Sequence, residues 1–191
     1  NNSHTDPPFG LYNDIIFREG FAKLRQFDLS FEAWLYHTQI LDVVSLAEAF
    51  PDQKIVLNHL GGPIGIGPYE GKQKEVFDKW KRSINALSKH SNVYVKLGGL
   101  GMVLNGYQLD KRETPPSSIE LSELWRPYFD ATIEAFSPKR CMFESNFPVD
   151  KVTSSYAVYW NCFKRITQNA SKEEKQFLFH DTANQFYKLD L

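Results

Sequence analysis

The chain predicts an α/β fold built on parallel strands, and three observations carry that expectation. Helix-like stretches alternate with short apolar runs, which implies strand-helix-strand units and parallel pairing. The runs are continuous and β-branched, as in Ile55-Val56-Leu57 and Val93-Tyr94-Val95-Lys96-Leu97, a pattern of strands covered on both faces. Polar or glycine-rich residues collect directly after each run, at the strand ends where parallel α/β folds gather their function.

Taken in order, apolar periodicity places the first helix over Asp14–Arg25 and the first strand over Leu29–Tyr36, which ends in Tyr36-His37-Thr38-Gln39. A helix over Ile40–Phe50 leads to a strand over Lys54–Asn58 and the loop Asn58-His59-Leu60-Gly61-Gly62-Pro63. The next helix covers Lys74–His90, and a strand over Asn92–Leu97 runs into Gly98-Gly99. Gly98 to Ser117 is the longest insertion, a candidate lid or specificity loop, with Pro115-Pro116 ahead of an N-cap at Ser117 or Ser118. Helix Ser118–Phe136 and strand Arg140–Glu144 follow, then Ser145-Asn146-Phe147-Pro148 and a helix over Ser155–Gln168. Ser171-Lys172-Glu173-Glu174 is a capping box opening a helix with Phe177 and Leu178, and Asp181 is expected to cap a last short helix through Phe186-Tyr187.

With 191 residues the chain is expected to be one domain, 1–191, and no repeat or linker divides it. Its 22 Lys and Arg against 23 Asp and Glu leave a net charge of −1, which argues against nucleic acid as a partner. Hydrophobic residues at 42% rule out a disordered segment. The two cysteines, Cys141 and Cys162, form neither a disulfide framework nor a thiolate zinc site, which fits a reducing compartment. No long apolar run is present and Asn1 to Asp6 is polar, so the expectation is a cytoplasmic chain without membrane contact.

Of the five histidines, His4, His90 and His180 have settings that suit solvated or structural roles. His37 and His59 differ, because each lies at a strand's C-terminal end and 59 − 37 = 22 positions separate them, about one helix plus one strand. They are expected on adjacent strand tips facing one mouth, where neutral imidazole can bind a metal, act as a base or donate to a carbonyl. Period-2 alternation puts Glu144 and Asn146 on one face if the strand runs through residue 146. Asn146 cannot ionise, and either Glu144 or Asp150 could supply a carboxylate. Lys96, inside an apolar strand, is either a buried amine facing the mouth or a snorkelling edge residue. The glycines of Gly61 to Gly67 match no phosphate loop and suit a sharp turn past His59.

Trp34-Leu35-Tyr36-His37, Val56-Leu57-Asn58-His59-Leu60-Gly61-Gly62-Pro63, Val95-Lys96-Leu97-Gly98-Gly99-Leu100 and Met142-Phe143-Glu144-Ser145-Asn146-Phe147-Pro148, in this order, resemble the amidohydrolase-related family. The resemblance is to its lactonase branch, which includes L-fuconolactonase and 2-pyrone-4,6-dicarboxylate lactonase, and runs from about Asp6 to Ala183-Asn184-Gln185-Phe186-Tyr187. It implies a TIM-barrel (β/α)8 fold with catalytic groups at the strand C-termini. His37 then matches the fifth-strand histidine, His59 the sixth-strand histidine, Lys96 to Gly99 the seventh strand, and Glu144 to Pro148 the eighth-strand motif. Asn146 stands where metal-dependent members hold a metal-binding, proton-accepting aspartate. The first-strand His-x-His pair has no counterpart, so the resemblance implies only the second half of a barrel, strands five to eight plus C-terminal helices.

Half a barrel leaves two open sheet edges and a concave apolar face, which predicts homo-oligomerisation or association with the other barrel half. The resemblance implies a hydrolase opening a small lactone or carboxylic ester by water attack; the alternative is a non-catalytic barrel half that binds a small acid or a partner chain. In the enzyme reading His37 and His59 polarise the carbonyl or position water, Asn146 donates to the oxyanion, and Glu144 or Asp150 is the base. Trp34, Tyr36, Lys96, Gly98 and Asp150 are the candidate substrate-binding residues. No cofactor is expected; zinc is disfavoured by Asn146 and by the missing His-x-His pair.

Overall fold

The computed structural model describes residues 9–191; His4 and the polar Asn1 to Asp6 stretch lie outside the described residues. Among the described residues four parallel strands form one sheet in the order β1 (Phe31–Ala33), β2 (Ile55–Leu57), β3 (Val93–Leu97), β4 (Cys141–Phe143). Successive strands are joined through α2 (Ile40–Ala49), α3 (Gln73–Leu87) and α4 (Ser118–Phe136), with α1 (Ile15–Phe21) ahead of β1. After β4 come α5 (Tyr156–Ile166), α6 (Lys172–Gln176) and α7 (Thr182–Tyr187). Sequential strands pairing in parallel through helical crossovers are the repeating unit of a (β/α)8 barrel, present here as four units.

The register aligns Glu32 with Val56 and Val56 with Tyr94, and pairs Lys96 with Met142. Alternation then divides the sheet. On the outer face Ala33, Ile55, Leu57, Val93, Val95, Leu97 and Cys141 are buried in the main core, against Leu46 of α2, Trp80 and Ile84 of α3, Trp125 and Phe129 of α4, and Phe163 of α5. The inner face carries Glu32, Val56, Tyr94, Lys96 and Met142. The expectation of a bare concave apolar face is not met. Phe186 and Tyr187 of α7 fold back onto Val56, Tyr94 and Met142 as a second apolar cluster, and the rest of that face is polar. Burying that surface under the chain's own C-terminus removes apolar area from water at about 25 cal/mol per Å².

Elements differ from expectation mainly at their ends. The strands are shorter than the apolar runs, because the tips after β1 and β2 bend into 3-10 turns at His37–Gln39 and Asn58–Gly61. The first helix stops at Phe21, capped by Asp14, whose side chain accepts from the Phe17 amide. Ser117, not Ser118, caps α4 in a capping box with Glu120, and Ser171 and Glu174 form the expected box at α6. Asp181 does not cap; a π turn over Phe177–Asp181 carries α6 into α7, and the Asp181 carboxylate faces His180 and Gln176. The 98–117 segment is fastened rather than free: Gly65 N donates to Leu104 O at 2.8 Å, and Asn105 Nδ2 donates to Pro63 O at 2.8 Å. No helix among the described residues is long and apolar enough to cross a membrane.

Candidate active site

The tip of β2 turns on residues in left-handed backbone geometry. His59 (φ 54°), Leu60 (φ 56°), Gly61 (φ 69°) and Gly62 (φ 48°) follow one another, and the first two are not glycine. Such geometry costs on the order of 1–3 kcal/mol per strained residue and persists only where the surroundings fix it. They do so here. The buried Trp80 indole donates to Leu60 O at 2.6 Å, His37 N donates to Gly62 O at 3.1 Å, and Leu60 is fully buried. The turn presents the His59 side chain above the inner face.

Glu144, just past β4, reaches this ring. His59 Nδ1 lies 2.5 Å from Glu144 Oε1, and the same oxygen accepts the His59 amide at 3.2 Å. A carboxylate can only accept here, so Nδ1 carries the hydrogen and Nε2 is left as the lone-pair nitrogen of the neutral ring. Because β3 lies between β2 and β4, the two side chains meet over the tip of β3. That tip is Gly98-Gly99. A Cβ on Gly98 would stand 2.3 Å from Glu144 O and 2.5 Å from its Cγ; one on Gly99 (φ +73°) would stand 2.6 Å from the His59 Cβ. Gly98 therefore makes room for the pair. The Trp34 ring meets His59 edge to face at 4.8 Å, with Tyr36 beside it, and Trp34 and Tyr36 are 45% and 44% exposed.

Three expected site residues sit differently. His37 is 1% exposed: Nδ1 accepts the Ile64 amide at 3.2 Å and the ring packs edge to face on Tyr69 at 4.9 Å. It does not share a mouth with His59. It braces the turn from beneath, and burial, then the charge of Lys79, holds its pKa below the ordinary histidine value. The β4 strand ends at Phe143 and Asn146 is left-handed (φ 51°), so alternation does not extend to it. One Asn146 amide hydrogen goes to Asp150 Oδ1 at 2.7 Å, and Gly101 N donates to Asp150 Oδ2 at 3.2 Å. Asp150 is 0% exposed, which takes it out of reach of a substrate, and burial pushes its pKa up to about 6.

Lys96 settles on the inner face, where Nζ lies 2.9 Å from Glu32 Oε2. Glu32 also accepts from Asn58 Nδ2 at 3.2 Å and from the Tyr187 hydroxyl at 2.7 Å. Sequence reasoning passed over Glu32 and Tyr187. A carboxylate inside the run Phe31-Glu32-Ala33 is the counterpart of Lys96 in its own strand and was a usable signal; Tyr187 reaches it across 155 residues and had none.

Glu144 holds Nδ1 of His59 and leaves Nε2 open, His37 is enclosed, Asn146 carries no charge, and among the described residues no three His, Cys, Asp or Glu side chains come together, so a metal here would need ligands beyond these.

A parallel sheet of βα units with polar groups at its C-terminal tips is the architecture of part of a TIM barrel. The chain belongs to the amidohydrolase family, which it matches over residues 2–189. It is 39% identical to an uncharacterized protein of Sinorhizobium fredii over 98% of this chain and 59% of that protein. It is 25% identical to L-fucono-1,5-lactonase of Burkholderia multivorans over 93% of this chain and 57% of the relative. The chain thus spans under three fifths of these relatives. Among solved structures it superposes on a zinc-bound amidohydrolase from Burkholderia multivorans with a TM-score of 0.80 and 23% identity, over 94% of this chain and 59% of that one. A candidate 2-pyrone-4,6-dicarboxylic acid hydrolase from Pseudomonas putida gives 0.65 and 19%, over 97% and 60%. These two likenesses establish the fold.

Proposed function

We propose that the chain carries the water-activating half of a barrel that hydrolyses a small lactone or carboxylic ester. The observation that carries this is the His59–Glu144 pair, 2.5 Å apart at the strand tips of an amidohydrolase-family sheet. The kinship to relatives named as lactonases supports the substrate class.

Glu144 fixes the His59 ring and its tautomer and favours the imidazolium that forms when Nε2 takes a proton. Water then adds its oxygen to the ester carbonyl carbon as that proton leaves. Collapse of the tetrahedral intermediate breaks the acyl C–O bond, and the proton on Nε2 passes to the departing ring oxygen, giving a hydroxy acid. Asn146 keeps a second amide hydrogen beyond the one held by Asp150 and is our candidate oxyanion donor. Trp34 packs on His59 and Tyr36 packs on Trp34, and the two half-exposed rings offer apolar surface to a ring. One imidazole and one carboxylate thus replace the pair of imidazoles expected from sequence, and no step passes through a metal.

The sheet has two edges without a neighbouring strand among the described residues, so we propose that the working form gains strands from a second copy or from the other barrel half. The non-catalytic reading draws on one observation, the missing anion at Asn146; the carboxylate of Glu144, on the same strand tip, answers it. A panel of 1,4- and 1,5-lactones incubated with the purified chain, with acid release followed by indicator, tests the proposal. Release above the spontaneous rate supports it; the spontaneous rate across the panel overturns it.

A further inference from the structure

Asp150 is a buried carboxyl that water activation does not use. It is 0% exposed and enters none of the ion pairs among the described residues. Burial raises its pKa to about 6, so near pH 7.5 it is ionised, to the detriment of the fold. A neutral residue would avoid that penalty, so the charge itself calls for an explanation. Three segments hold residue 150. Gly101 N, two positions past the Gly98-Gly99 tip, donates to Oδ2 at 3.2 Å; the Tyr159 hydroxyl of α5 donates to Asp150 O at 3.1 Å; and the Asp150 amide donates to Asn146 O at 3.1 Å. A Cβ on Gly101 would overlap the Tyr159 hydroxyl, so only glycine lets that loop close on the carboxylate. The remaining oxygen, Oδ1, takes one amide hydrogen of the half-buried Asn146 at 2.7 Å. The charges of His59 and Glu144 act on Asp150, which sets the two residues beside the dyad.

We propose that Asp150 is a positioning residue that acts through Asn146, locking its amide so that the strand tip offers the developing oxyanion a hydrogen and not an oxygen. The proposal rests on the hydrolase reading, in which the second Asn146 amide hydrogen is the oxyanion donor. An ionised carboxylate accepts on both oxygens and donates on neither, so Asn146 can meet it only through Nδ2 and its amide cannot turn over. An amide at position 150 fills the same space without that constraint. In Asp150→Asn the side-chain oxygen stays with Gly101, Nδ2 faces Asn146, and the Asn146 amide turns to present Oδ1. The shape survives and the donor is displaced.

The test compares δ-valerolactone hydrolysis at pH 7.5 by the wild-type chain, Asp150→Asn, Asn146→Ala and the double variant, with a urea midpoint for each. Positioning expects kcat of Asp150→Asn to fall on the order of 10²-fold with KM within about twofold, although its urea midpoint is no lower than that of the wild type. It also expects the double variant to be no slower than Asn146→Ala alone, because the amide that Asp150 orients is gone. A purely structural Asp150 would instead give a rate that follows the folded fraction. Wild-type kcat in folded Asp150→Asn, or a further fall of about tenfold in the double variant, overturns the proposal. Should Asp150→Asn not fold, Asp150→Ser, which keeps an acceptor for Gly101, takes its place in the same cycle. If the wild type releases no acid, the hydrolase reading fails, and binding of a six-membered cyclic phosphinate, whose oxygens stand for those of the tetrahedral intermediate, judges the positioning by phosphorus NMR. Binding about tenfold weaker in Asp150→Asn and in Asn146→Ala supports it; equal binding, or none to the wild type, overturns it.

Discussion

His59 Nδ1 and Glu144 Oε1 stand 2.5 Å apart although their strands, β2 and β4, are not neighbours; they meet over the glycine tip of β3. Glu144→Gln keeps the shape of the side chain but cannot stabilise a positive imidazole. Lactone hydrolysis should fall on the order of 10²-fold or more, with the melting profile preserved. Initial rates beside a circular dichroism melt check this, and an unchanged rate would remove Glu144 from the mechanism.

Gly99→Ala brings a Cβ within 2.6 Å of the His59 Cβ at a residue with φ +73°, so strain and overlap act together. Destabilisation of on the order of 1–3 kcal/mol is expected in urea titrations, along with loss of hydrolysis. Wild-type stability in this variant would show that the tip of β3 does not need glycine.

Asp150 should weaken the fold at neutral pH. Its carboxyl is buried and its pKa rises from 3.8 to about 6, so its protonated form is the one the fold favours. The associated stability is complete below pH 3.8 and is lost as pH rises through about 6, a difference of about 3 kcal/mol. Asp150→Asn removes that loss; its one side-chain oxygen keeps the Gly101 amide, and its Nδ2 bonds Asn146 once that amide turns to present Oδ1. Urea midpoints for variant and wild type should agree near pH 4 and separate in the variant's favour by pH 7. Parallel midpoints across that range would contradict the assignment.

His37 titrates the other way. Burial first, then Lys79, lowers its pKa from 6.5, so the neutral ring is the form the fold holds. Its contribution is present above pH 6.5 and lost as pH falls below it. His37→Gln offers Ile64 N another acceptor without titrating. The fall in its urea midpoint between pH 7.5 and 5 should be shallower than in wild type, and an equally steep fall would sink this reading.

The sequence made the parallel order legible because Ile55–Leu57, Val93–Leu97 and Cys141–Phe143 are short β-branched or apolar runs separated by helix-length stretches. His59 and Glu144 were also legible as strand-tip residues. Their meeting was not, because it depends on a non-neighbour approach over β3, which linear spacing does not encode. His37 looked equivalent to His59 by position. What separates them is rotation about the strand tip: the 3-10 turn at His37–Gln39 points that ring under Tyr69, while four left-handed residues lift His59 clear. Nothing local announced that α7 would fold back to place Tyr187 on Glu32, since that contact joins the two ends of the described chain.

The central claim, that His59 Nε2 takes the proton from the attacking water, is tested most directly by the hydrolysis rate of a 1,5-lactone with His59→Ala against wild type at equal folded concentration. The account predicts a fall on the order of 10²-fold or more. A His59→Ala rate equal to that of the wild type would contradict it.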